Sequence, residues 1–90
     1  MHCCHVCGAE TSTPPWGEDG FTPLYEICQC CGCEFGYNDA TYAAIEHHRQ
    51  LWLATGGNWR DPKAKPPDLT REEQITRIPS ELPHGILRNN

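Results

Sequence analysis

The chain has 90 residues, enough for one small hydrophobic core, and a second domain is excluded. Its aromatic content is three Trp, three Tyr and two Phe, and so thin a core needs a disulfide, a metal or a partner as a staple. The formal charge is -5, and all seven Lys and Arg fall between Arg49 and Arg88, which argues against a nucleic-acid face near the cysteines.

In chain order, residues 1–38 hold all seven cysteines and most of the glycines, a composition suited to tight turns around a metal. The opening run Met1-His2-Cys3-Cys4-His5-Val6-Cys7 has neither the basic region nor the apolar stretch of a secretory signal. No segment is apolar over the length of a membrane span. The chain therefore reads as cytoplasmic, where thiols stay reduced and clustered cysteines bind metal in preference to pairing as disulfides. Leu24-Tyr25-Glu26-Ile27 is the best strand candidate, and Phe35 to Tyr37 is a possible outgoing partner interrupted by Gly36.

From Asp39 to Thr55 the pattern becomes helical, with Asp39 or Thr41 as N-cap and Gly56-Gly57 as the stop. Tyr42, Ile45, Trp52 and Leu53 recur at helical spacing, leaving Glu46, His47, Arg49 and Gln50 as the wet side. Trp59 and the connector Asp61-Pro62-Lys63-Ala64-Lys65-Pro66-Pro67 follow, and the prolines bar both helix and strand. Thr70-Arg71-Glu72-Glu73 matches a capping box and starts a short helix to about Arg77. The last dozen residues, with Pro83 and Gly85, are expected to fray. Residues 1–60 thus form a ribbon plus covering helix, and residues 61–90 a connector, short helix and mobile tail, within one structural domain.

The chemistry lies in a repeat. Cys4-His5-Val6-Cys7-Gly8 and Cys28-Gln29-Cys30-Cys31-Gly32 are both Cys-x2-Cys-Gly. In such a knuckle the chain curls so that two sulfurs meet one ion at about 2.3 Å, and two knuckles complete a tetrahedron. The glycine permits the positive φ that turns backbone amides towards the thiolates. Cys4, Cys7, Cys28 and Cys31 are therefore the expected ligands of one Zn2+, with iron as the alternative because tetrahedral thiolate suits both. Cys3, Cys30 and Cys33 are other possible donors, with Cys30 and Cys33 forming an overlapping two-residue spacing. His2 and His5 could also ligate but read better as exposed side chains. His47 and His48 are adjacent on a helix and cannot converge on one ion from it, so a solvated His47 and a packed His48 are expected. Trp16, Trp52 and Trp59 are expected in the core.

The run from Tyr25 through Cys28-Gln29-Cys30-Cys31-Gly32-Cys33 to Phe35-Gly36-Tyr37-Asn38-Asp39 resembles the bacterial cysteine-rich CPCC family. The likeness extends from the first knuckle through the Trp-bearing helix, about the first sixty residues. Gln29 and His5 stand where the family commonly has proline, which loosens both turns without removing a ligand. The resemblance implies a rubredoxin-like zinc ribbon and carries no established activity.

The fold expected is a small α+β metal-bound protein, a ribbon with short antiparallel strands under a covering helix, followed by a short C-terminal helix. Its expected function is non-catalytic: structural zinc in a regulatory or protein-interaction module with an unknown protein partner. A single-iron electron carrier and a nucleic-acid-binding ribbon using Arg49, Arg60, Lys63 and Lys65 are the alternatives. No nucleophile elbow, His-Glu-x-x-His or phosphate-binding glycine loop points to an enzyme, and no small-molecule substrate or membrane partner is indicated.

Overall fold

The repeated Cys-x2-Cys-Gly sequence folds twice into the same local device. In the computed structural model, which describes residues 2–88, the Cys4 amide donates to the Ala9 carbonyl (2.8 Å) and the Gly8 amide to the Cys4 carbonyl (2.9 Å). At the second knuckle Cys28 donates to Cys33 (2.8 Å) and Gly32 to Cys28 (3.0 Å). Gly8 and Gly32 have φ of 83° and 78°, the left-handed conformation that glycine reaches without a Cβ penalty.

The first knuckle is flanked by β1 (His2–Cys3) and β2 (Glu10–Thr11), an antiparallel pair with His2 opposite Thr11 and Cys3 opposite Glu10. These strands have no sequence signal of their own; the knuckle turn brings them together. The strand expected at Leu24–Ile27 is reduced to one antiparallel bridge, Ile27 with Glu34. The cause is a bulge, in which Tyr25 donates to the Phe35 carbonyl (3.0 Å) while the Phe35 amide donates to Glu26 (2.9 Å). Two residues thus oppose one, and Tyr25 takes the left-handed position (φ 57°) usually filled by glycine. Good strand propensity at Leu24–Ile27 could not foretell that interruption.

The covering helix is α1 (Tyr42–Ala54). Of the two candidate caps, Thr41 serves: its hydroxyl accepts from the Ala44 amide (3.0 Å). Gly56 and Gly57, with φ of 104° and 62°, stop the helix as expected. Ile45 and Trp52 are buried, but Leu53 is 41 % exposed, so the inward stripe runs through Tyr42, Ile45, Arg49 and Trp52 instead. Arg49 leaves the wet side because its guanidinium satisfies backbone carbonyls in the first knuckle.

A short 3-10 turn at Pro62–Ala64 leads to α2 (Arg71–Thr76), which begins with the expected capping box of Thr70 and Glu73. Of the segment expected to fray, Asn89 and Asn90 lie outside the described residues, and the part before them carries its own anchors. Ile86 is buried, the Gly85 amide donates to Gly20 (2.8 Å), and residues 40–42 exchange hydrogen bonds with Leu87 at 2.9–3.0 Å. A buried isoleucine offsets the weak local propensity of that segment. All three tryptophans are placed against the core, Trp16 and Trp52 buried and Trp59 partly so, and each indole N–H has an acceptor: Asp39, Asn58 and Gln74 respectively. The result is a small α+β fold with a two-stranded sheet, two α-helices and a cysteine cluster. Among the described residues no helix is long and apolar enough to cross a membrane.

Candidate metal centre

Each knuckle contributes its two cysteines to one point. The sulfurs of Cys4, Cys7, Cys28 and Cys31 all lie within 4.8 Å of one another. Two cross-knuckle edges, Cys4 to Cys31 and Cys7 to Cys28, measure 3.7 Å. A tetrahedron with metal–sulfur bonds of about 2.3 Å has edges of about 3.8 Å, so the donor set fits a divalent ion at its centre.

Backbone groups complete the second layer of this site in duplicate. The Val6 amide points at Cys4 Sγ and the Cys30 amide at Cys28 Sγ, both at 3.4 Å. Such N–H donors disperse thiolate charge and orient the sulfur lone pairs. The four thiols do not titrate alike. Hydrogen bonding with Cys28 pulls Cys7 far down and pushes Cys31 far up; Cys28 is lowered chiefly through Cys31, and Cys4 is raised chiefly through Cys28. Buried thiolates at this spacing repel one another, and a bound cation removes the conflict.

Helix α1 holds both knuckles by side chains one position apart. Arg49 donates from Nε to the Val6 carbonyl and from Nη2 to the His5 carbonyl, each at 2.7 Å. His48 Nε2 donates to the Cys31 carbonyl at 3.0 Å, which requires the proton on that nitrogen because a carbonyl can only accept. Helix α2 adds Gln74, almost fully buried, whose amide donates to the Cys7 carbonyl and to Cys30 Sγ, both at 3.1 Å, while its oxygen accepts from Trp59. The C-terminal segment is thus tied directly to the cysteines.

The other donor candidates stay outside the cluster. Cys3, Cys30 and Cys33 are buried and unpaired by disulfide. Hydrogen bonding with Cys7, then burial, raises Cys30; hydrogen bonding with Cys31 lowers Cys33 to about 4. His2 is exposed, as expected. His5 is not: it is 5 % exposed, its Nδ1 has no hydrogen-bond partner, and burial lowers its pKa to about 4. The tight first knuckle folds this imidazole inward as a neutral ring. His47 is exposed and His48 partly buried, as their adjacency on α1 predicts.

Three residues that position the site have no signature in the sequence. Arg49 and Gln74 are polar residues turned inward on helices, and Asp39 is fully buried behind the second knuckle. Its carboxylate accepts from Gly36 N (2.6 Å) and Trp16 Nε1 (2.9 Å). Burial, and then the neighbouring Cys33 thiolate, raises its pKa to about 6.

No family model matches the chain, and neither a curated protein nor a solved structure gives a significant match. The metal centre stands on the geometry of its own four sulfurs.

Proposed function

We propose that this chain is a rubredoxin-like zinc ribbon of the CPCC type, a non-catalytic cytoplasmic protein whose metal is structural and whose surface serves protein interaction. The observation that carries the reading is the closed set of four sulfurs, with cross-knuckle edges of 3.7 Å. Four thiolates use every position of a tetrahedral ion, leaving none for water or substrate, so the ion supplies folding energy and no Lewis-acid step. In a chain of 90 residues that energy replaces the larger core it cannot build. Arg49, His48 and Gln74 hold the carbonyl groups of the knuckles, keeping the sulfurs in place for the ion.

The reading is tested by elemental analysis of the purified chain, with about one zinc per molecule expected, and by chelation, which should abolish near-ultraviolet circular dichroism. One feature favours a second reading, electron transfer by a single iron in the same sulfurs. Cys31 is only partly buried and opens into a cleft of about 380 Å³ beside His48 and Trp52, an exposed ligand edge suited to electron exchange. A red protein carrying one iron that is reversibly reduced would replace zinc with that assignment. Nucleic-acid binding is the weakest of the three, since Arg49, the first member of the basic set, is bonded to the first knuckle.

A further inference from the structure

The second hairpin carries apolar surface that its own fold does not use. Tyr25 is 62 % exposed, Ile27 47 % and Tyr37 71 %, and Leu24 is also exposed. Tyr25 is the one non-glycine residue with positive φ among those described. A glycine would occupy that bulge position without strain. The tyrosine ring lies beside Gly36, where an added Cβ would come within 2.9 Å of it.

A cleft of about 630 Å³ is lined by Leu24, Glu26 and Ile27 of the second hairpin, by Glu10 and Thr11 of β2, and by Trp59. The hairpin also has an open backbone edge. The bonds from Cys28 to Cys33 and from Phe35 to Glu26 flank the Ile27–Glu34 bridge, so the N–H and C=O of Ile27 turn away from Glu34. Among the described residues neither group has a hydrogen-bond partner. An unpaired edge beside a cleft accepts an added extended segment. The charge of the surroundings selects that segment. Glu10 and Glu26 line the cleft and no Lys or Arg does; the cation Arg77 lies in an adjoining cleft that shares Glu10 and Trp59. Four thiolates around one divalent ion add about two further negative charges nearby.

Resting on the interaction-module reading above, we propose that this cleft binds an extended, Lys- or Arg-bearing segment of a partner protein, with Ile27 offering its backbone edge and Leu24 and Ile27 the apolar contact. Apolar side chains of the segment meet Leu24 and Ile27, and its cations meet Glu10 and Glu26. Charge complementarity of this kind sets the choice of partner and the salt dependence of binding.

The test is amide-resolved NMR titration of the metal-loaded full chain with three short synthetic peptides: alternating Lys-Leu, alternating Glu-Leu and alternating Lys-Ser. The Lys-Leu peptide should shift amides of residues 10–13, 24–27 and 34–37, and its affinity should fall with added salt. Leu24→Ser should weaken it about tenfold, the effect of losing one apolar contact, whereas Tyr25→Gly, outside the lining of the cleft, should leave the affinity unchanged. Ile27→Lys, at a half-exposed position, should abolish binding with the fold unchanged. Equal binding of the Glu-Leu or Lys-Ser peptide would overturn the proposal, as would a concentration-dependent dimer dissolved by Ile27→Lys, which would make a second copy the occupant. Shifts confined to exposed Leu51 and Leu53 of α1 would refute this cleft and leave the module reading intact. Reversible one-iron redox behaviour with no shift from any peptide would overturn both.

Discussion

The two knuckles share one sequence pattern and one hydrogen-bond scheme, yet the protein surrounds them differently. The first is enclosed: Cys4 and Cys7 are fully buried, Arg49 is bonded to two of its carbonyls, and Gln74 to a third. At the second, Cys31 is partly exposed beside a cleft, and its external tie from α1 is the single bond from His48. Identical local geometry therefore does not imply identical robustness. Both knuckles carry later parts of the chain, Gln74 at Cys7 and Cys30 and the Arg60 and Asp61 amides at the carbonyls of Cys30 and Gln29, so what differs is how far each is covered.

The largest effect should be common to both knuckles. Cys7→Ser and Cys31→Ser each remove one of the four converging sulfurs and should lose metal and tertiary structure together, as elemental analysis and near-ultraviolet circular dichroism would show. Cys3→Ser and Cys33→Ser should keep about one metal per chain. Loss of metal from Cys33→Ser but not from Cys31→Ser would move the ligand set by two residues.

The glycines should separate the knuckles. A Cβ on Gly32 meets only Arg60 at an ordinary distance, 3.5 Å, so Gly32→Ala should cost the left-handed strain alone, about 1–2 kcal/mol. A Cβ on Gly8 runs into the backbone carbonyl of Gln74, so Gly8→Ala adds overpacking and should cost about 3 kcal/mol or more in urea unfolding of the metal-loaded chain. Equal costs would mean that α2 does not brace the first knuckle.

The helix ties extend the same contrast at smaller size. Arg49→Met should cost about 2–3 kcal/mol, because it strips two charged hydrogen bonds from buried carbonyls. His48→Phe should cost about 1 kcal/mol, from one bond at a partly exposed site.

Among the described residues Asp39, at the end of the second hairpin, is the buried carboxyl, and its pH dependence has a definite sign. Asp39 has its folded pKa raised from 3.8 to about 6, so the folded state holds the proton more tightly than the unfolded one. Its contribution to stability is greatest below about 4 and is lost as pH rises through about 6. Relative to Asp39→Asn, the wild-type protein should therefore lose up to about 2–3 kcal/mol between pH 4 and 6, at about 1.4 kcal/mol per pKa unit. A flat difference between the two proteins would place the carboxyl in a better solvated environment than its burial implies.

Much of the site was legible because its information is local. A Cys-x2-Cys-Gly turn needs its own residues and one cation, so Cys4, Cys7, Cys28 and Cys31 could be picked out by spacing, and they do converge. The extent of α1 and the capping box at Thr70 and Glu73 followed from cap and stop residues in the same way. Contacts distant in sequence were not legible. Nothing near Gln74 announces that it reaches Cys7 and Cys30, and nothing near Arg49 announces two carbonyls at positions 5 and 6. The inward His5 and the anchored Ile86 likewise depend on neighbours far along the chain. Strand pairing was legible in part for a related reason: the segment Leu24 to Ile27 does pair antiparallel with Glu34 and Phe35, as expected, but the bulge at Tyr25 interrupts it, and β1 and β2 are imposed by the turn between them. Short-range stereochemistry and metal valence thus wrote the four-sulfur site into the sequence, whereas the need to satisfy buried carbonyls chose its supports from residues that meet only once the chain has folded.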